Sequence, residues 1–165
     1  MRVLQTGAFI IAAVLLAPVA ALAQVYPAKT VRVVIPWPPG GSNDITGRIV
    51  LQKVSENVGQ QFVVDNRGGA AGTIGADMVA KSPPDGYTML VGTSSTMAIL
   101  PYLYRKPPYD PNKDFAPLVL LGTADIMIVV NSEVPVRTVA ELLTYAKANP
   151  GKLTFASGGN GSISH

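Results

Sequence analysis

Short apolar runs of strand length alternate along this chain with longer segments whose apolar residues recur at helical spacing. Thr30–Trp37 is rich in Val and Ile, is bounded by prolines, and reads as a buried strand. In Ser42–Val58, Gly47, Val50, Leu51, Val54 and Val58 share one face, which predicts a helix stopped by Gly59. Phe62–Asp65 predicts a second strand, and Gly68–Gly75 a glycine-rich turn into a helix ending near Lys81. Pro83-Pro84-Asp85-Gly86 is a turn, and Tyr87–Thr93 a third strand. Ser94–Leu103 reads as helical through Met97, Ile99, Leu100 and Leu103, and the proline-bearing Tyr104–Phe115 as an irregular surface segment. Ala116–Thr123 and Ile126–Asn131 predict two further strands, split at Ala124-Asp125. Thr138–Ala148 predicts a helix opened by a Thr138/Glu141 capping box and ended by Asn149-Pro150-Gly151, and Leu153–Ala156 a last strand.

This alternation predicts an α/β architecture with a mostly parallel sheet, whose ligands sit beyond the carboxyl ends of the strands. Three strand-to-helix junctions compete for that role. The first runs from the end of the first strand through Trp37-Pro38-Pro39-Gly40-Gly41 into Ser42-Asn43-Asp44, a sequence able to cap a helix. Two glycines free the loop from Cβ constraints, and a helix start offers unpaired N–H groups with a partial positive charge. Such a loop holds a small anion with no cationic side chain. Trp37, the sole tryptophan, stands where it either walls a pocket or joins the core. The second junction, Asn66–Gly75, has the wrong glycine spacing for a dinucleotide fingerprint and reads as turn and packing glycines. In the third, Ala156–Ser164, Ser157, Asn160, Ser162 and Ser164 are potential donors to an anion and the glycines permit a backbone nest.

The first residues add a compartment. Arg2, the apolar run Ala8–Leu16 and the small-x-small Ala21-Leu22-Ala23 form a secretory signal over residues 1–23, cleaved after Ala23 to leave Gln24 first. No cysteine is present for a lipid anchor or a disulfide. Thirteen basic residues against ten acidic give a charge of +3, but the cations never gather beyond a pair, so the chain carries no nucleic-acid stripe. Charged residues make up only 14% of the chain and apolar ones 48%, which excludes a disordered solvating tail. Catalysis finds little purchase: the only histidine is His165, and no acidic pair sits at metal-ligand spacing. A secreted α/β hydrolase using a serine is the runner-up. It requires a Ser–His pair, and no G-x-S-x-G motif occurs. A chain that ends at His165, directly after a loop where a helix is due, reads as a fragment.

Several segments together resemble one family. Tyr26-Pro27-Ala28-Lys29 with VRVVIPWPPGGSND, Val63-Val64-Asp65-Asn66-Arg67 with GGAAGTIGAD, the stretch PPDGYTMLVGTSSTMAILPYLYRKPPYDPNKDFAPL, TVAELLTYAKANPG and NPGKLTFASGGNGSISH are similar to the Bug-type (TctC-like) periplasmic solute-binding proteins. These serve as receptors of tripartite tricarboxylate transporters. The resemblance implies a two-lobed, Venus-flytrap, type II-like periplasmic-binding-protein fold that is only partly present. Lobe one would span 24–122 and lack its return segment, and 123–165 would open lobe two. It also implies a periplasmic monomer without cofactor or metal that captures a small carboxylate and delivers it to the transporter's membrane subunits. A truncated relic without function is the other outcome it leaves. The loop matching Pro38, Gly40, Gly41, Ser42 and Asp44 would meet one carboxylate. Thr93, Ser94 and Ser95 would add contacts from the same lobe, and Ser157, Gly158, Asn160, Gly161, Ser162 and His165 from the other side. Trp37 replaces the Phe or Tyr usual at its position.

Overall fold

The computed structural model describes residues 26–165, so the signal segment and its cleavage point lie outside the described residues. Strand β1 (Val31–Ile35) is the centre of a three-stranded parallel sheet, with β2 (Phe62–Asn66) on one side and β3 (Thr88–Leu90) on the other. Its apolar run is explained by position: Val31, Val33, Val34 and Ile35 are covered from both faces and are almost wholly buried. Each such side chain contributes at most about 1.5–3 kcal/mol of burial free energy.

Helix α1 (Ser42–Val58) lies over the face carrying Val31 and Val33, which cluster with Leu51, Phe62, Val64, Tyr87, Met89 and Val91. Gly47 lets the helix approach, since a Cβ there would stand 2.9 Å from Ile35 Cδ1. Gly59 closes α1 in the left-handed conformation, φ 70°, donating its N–H to Ser55 O. Helix α2 (Thr73–Ala80) covers the opposite face, where Arg32, on the alternate register of β1, reaches Met78 Sδ at 3.5 Å. The turn before α2 passes through left-handed backbone at Ala70 (φ 47°) and Ala71 (φ 53°), a conformation costly to residues with a Cβ. A π-helical turn, Ser95–Ile99, then leads into the short helix α3 (Leu100–Leu103), and α4 (Val139–Ala148) follows much later.

Expectation and structure agree on the bounds of α1, on the parallel sheet and on the α4 capping box, whose two reciprocal hydrogen bonds are both present. They differ in five places. The third strand is regular only over Thr88–Leu90, and its hydrogen bonds to β1 run from Tyr87 O to the Val91 N–H, short of the expected Thr93. The segment from Ser94 is a π turn rather than one continuous α-helix. Val58 and Leu103, placed on apolar faces by spacing, are 46% and 64% exposed because each sits in the last turn of its helix, beyond the sheet. Ser42-Asn43-Asp44 does not cap α1: the N-cap is Gly41, with no side-chain hydrogen bond, and Ser42 is the first helical residue. Finally, Ala116–Thr123, Ile126–Asn131 and Leu153–Ala156 are not strands. They have no ladder partner among the described residues, and side chains such as Met127 and Val129 are 80% and 85% exposed. Strand propensity is local, whereas a strand exists only when a second segment accepts its N–H and C=O groups.

Gly75 tests the packing of α2. An alanine there gains about 1 kcal/mol of helix propensity, but its Cβ would stand 2.7 Å from Arg67 O and 2.9 Å from Pro36 Cβ. A backbone oxygen fixed beside the sheet cannot rotate away, and overpacking of this kind costs about 1–3 kcal/mol. Gly75→Ala is therefore expected to lower the urea midpoint of the chain, and a raised midpoint would show that propensity wins.

Candidate functional site

The strand order fixes where a site can form. The chain leaves β1, adds β2 on one side and β3 on the other, so β1 is the switch point and a crevice opens beyond its carboxyl end. The loop Pro36–Gly41 occupies that place. Pro38, Gly40, Gly41 and Ser42 are exposed, while Trp37 is half-buried with its indole N–H enclosed and unpartnered. Gly40 takes φ +85°, a conformation that selects glycine. With Gly41 as an unassisted cap, the first N–H groups of α1, at Ser42, Asn43 and Asp44, have no intrahelical acceptor.

Asp44 stands in the first turn of α1, where its place in the sequence put it. Its side chain is only 5% exposed and turned inward. Oδ2 accepts from the Gly40 N–H at 2.9 Å, Oδ1 accepts from Asn66 Nδ2 at 2.9 Å, and Arg48 Nε lies 3.0 Å from both oxygens. The Arg48 hydrogen bond first, then those of Gly40 and Asn66, hold the carboxyl down at about 2, against the ordinary 3.8. Asp44 thus contacts the loop from within, and the Gly40 N–H is already filled.

The loops after β2 and β3 meet the first. Gly68 packs on Trp37 and Pro38, and a Cβ at Gly72 would strike Thr96 Cγ2 at 2.7 Å. Thr93 opens the π turn by exchanging hydrogen bonds with Thr96: its N–H donates to Thr96 Oγ1 at 2.9 Å, and Thr96 Oγ1 donates to Thr93 O at 3.0 Å. Ser94 is exposed, but Ser95 is 1% exposed, and its Oγ accepts the Ile163 N–H at 3.0 Å. That bond docks the last loop on the π turn. Gly161 fits against Leu100, Ser162 is buried, and the Gly158 N–H donates to Ser164 Oγ at 3.0 Å. Asn160 is exposed. The structure therefore gathers the four loops, with Ser95 joining the last loop to the π turn and Ser162 Oγ engaged within its own loop, 3.2 Å from Ser164 Oγ.

Ser157 Oγ and His165 Nδ1 are 2.9 Å apart, the pair a hydrolase would need. The ring lies tilted against Phe155, its centroid 5.6 Å away, and among the described residues no carboxylate bonds the imidazole. An exposed hydroxyl–imidazole contact without an orienting acid is not a triad. Nor, among the described residues, is any cluster of three His, Cys, Asp or Glu side chains assembled that could hold a metal. Two open grooves lie elsewhere: one of about 550 Å³ between α1 and the outer edge of β2, beside Gln52 and Gln61, the other along α4. Neither is edged by the converging loops, and no helix among the described residues is long and apolar enough to cross a membrane.

Sequence reasoning missed Arg48 and Asn66. The Asp44–Arg48 spacing of four on a helix is a readable signal; the arrival of Asn66 from another strand is not.

Residues 46–165 match the family described as the tripartite tricarboxylate transporter family receptor. A protein from Pseudomonas sp. strain P51, named for its place in a tcbD–tcbE intergenic region, is 44% identical over 140 residues, covering 85% of this chain and 41% of its own. Among solved structures, Rpa4515 of R. palustris with adipate is 38% identical with a TM-score of 0.71, covering 83% of this chain and 46% of that one. MatC (Rpa3494) from Rhodopseudomonas palustris with bound malate is 32% identical with a TM-score of 0.70, covering 74% and 42%. The periplasmic binding protein BugD is 32% identical with a TM-score of 0.67, covering 84% and 46%. The chain spans slightly less than half the length of these relatives.

The fold places this chain beside α/β periplasmic binding proteins, slightly less than half of whose length it spans. The chain belongs to the tripartite tricarboxylate transporter receptor (TctC) family, whose members are receptors rather than enzymes.

Because the Asp44 carboxyl is depressed, its ties to the loop are complete above the ordinary value of 3.8 and are lost as pH falls through about 2. The Gly40 amide proton shift should titrate with a midpoint near 2. A midpoint at the ordinary carboxylate value would show that the bond is absent in solution.

Proposed function

We propose that this chain carries carboxylate-binding loops of an exported, periplasmic solute-binding protein that captures a small organic carboxylate and delivers it to the membrane subunits of a tripartite transporter. One observation carries the reading: the start of α1 presents N–H groups without intrahelical acceptors, in an exposed loop, at the switch point of a parallel sheet. A carboxylate there receives charge-assisted hydrogen bonds and the favourable end of the helix dipole. Adipate and malate, found with two structural neighbours, are both small dicarboxylates. In this reading Gly41 and Ser42 supply the first contacts, Ser94 and the backbone around Thr93 the second, and Ser157, Gly158, Asn160 and His165 the facing side. Residues 24–122 form lobe one and 123–165 the opening of lobe two. The end of the regular sheet at β3 and the lack of any buried residue in α4 support that division.

Gly41 is the sharpest probe. A Cβ there meets only Pro38 O at 3.8 Å and the backbone is ordinary, φ −75°, so the fold accommodates a side chain. Gly41→Val should keep the chain folded, with the modest loss of melting temperature expected when valine replaces glycine at an N-cap, yet abolish binding in a calorimetric titration with adipate or malate; unchanged affinity would remove this loop from the site. Because Ser42 caps nothing, Ser42→Ala should leave the melting temperature unchanged and weaken binding by about 1 kcal/mol, one hydroxyl hydrogen bond. No loss of affinity would exclude its hydroxyl.

A further inference from the structure

Asn66 ends β2, yet its side chain touches three parts of the frame around the first loop. Nδ2 donates to Trp37 O at 3.1 Å and to Asp44 Oδ1 at 2.9 Å, while Oδ1 accepts from Arg48 Nη2 at 2.9 Å. Arg48 Nε donates to the Asp44 carboxylate, whose Oδ2 takes the Gly40 N–H. Asn66, Arg48 and Asp44 therefore form a closed ring, joined to the backbone at Trp37 and at Gly40. Only one orientation of the Asn66 amide satisfies the ring, since the reverse sets its oxygen against two acceptors.

This ring has an electrostatic consequence. A carboxylate in the first turn of a helix competes with an anionic ligand for the same positive end. Here Asp44 is turned inward, and Arg48 cancels its charge.

We infer that Asn66 and Arg48 are positioning residues for the carboxylate loop: they hold and neutralise Asp44 so that it fills the Gly40 N–H and leaves the following N–H groups to the ligand. The inference rests on the carboxylate reading above, but the ring can be tested without a ligand.

Asn66→Asp is nearly isosteric and replaces the amide donor by a second carboxylate. Two measurements follow on the 165-residue chain: hydrogen exchange at the Gly40 amide, and adipate affinity relative to wild type at pH 8 and pH 5. Gly40 exchange should accelerate about tenfold, the loss of one bond to a charged group. Relative affinity should fall about tenfold at pH 8 and recover at pH 5, because two adjoining carboxylates retain a proton between them. In a second pair, Arg48→Gln should weaken adipate binding, and adding Asp44→Asn should restore part of it by removing the uncompensated charge. A loss of affinity independent of pH, with no rescue in the double variant, would reduce the ring to a structural role and overturn the inference. Faster Gly40 exchange with unchanged affinity would overturn it equally. Should wild type bind neither adipate nor malate, the carboxylate reading fails; unaltered Gly40 exchange in Asn66→Asp separately shows that the ring does not hold the loop.

Discussion

The chain must leave a strand buried on every side and enter a helix on one face of the sheet within a few exposed residues, and the Asp44 carboxylate holds that corner. It binds the Gly40 N–H just before the helix and receives Arg48 from the next turn and Asn66 from the neighbouring strand. Helix, loop and sheet are thereby tied at one point. A carboxylate enclosed to this extent is tolerable only because three N–H donors, one of them the Arg48 Nε–H shared between both oxygens, replace its water. Ionised down to about 2, it keeps its hold across the whole physiological range.

What surrounds that corner suits the proposed capture and release of a carboxylate. The unfilled donors belong to backbone, which is fixed by the fold and carries no net charge to be stranded when a ligand departs. Arg48, on the next turn of α1, is committed to Asp44 and Asn66 and does not serve as a free counter-ion. The converging loops are themselves braced by Thr93–Thr96 and by the Ser95–Ile163 hydrogen bond, so the serines divide between those that hold the site and those, such as Ser42 and Ser94, that face outward.

Features governed by neighbours in sequence were legible. Helix α1 followed from apolar spacing and from Gly59, and α4 from the Thr138/Glu141 box; both are decided within one or two turns. The loop between β1 and α1 was legible for the same reason, as two glycines between a strand and a helix. Long-range features were not. Residues 118–121 and 126–130 have the composition of strands, yet they have no ladder partner among the described residues and are largely exposed. Of the residues that engage Asp44, Gly40 and Arg48 are four positions away in sequence, but Asn66 arrives from another strand and was not legible. Ser95, likewise, looked available until the final loop was placed on it.

The most direct test is to titrate the isotopically labelled chain with adipate and map the backbone amide shifts. Perturbations should concentrate at Gly41, Ser42 and Asn43, with smaller ones around Thr93 and Ser94, and the Gly40 amide should stay bound to Asp44. Shifts gathered instead along the groove of Gln52 and Gln61, or none at saturating adipate and malate, would contradict a carboxylate site at the start of α1.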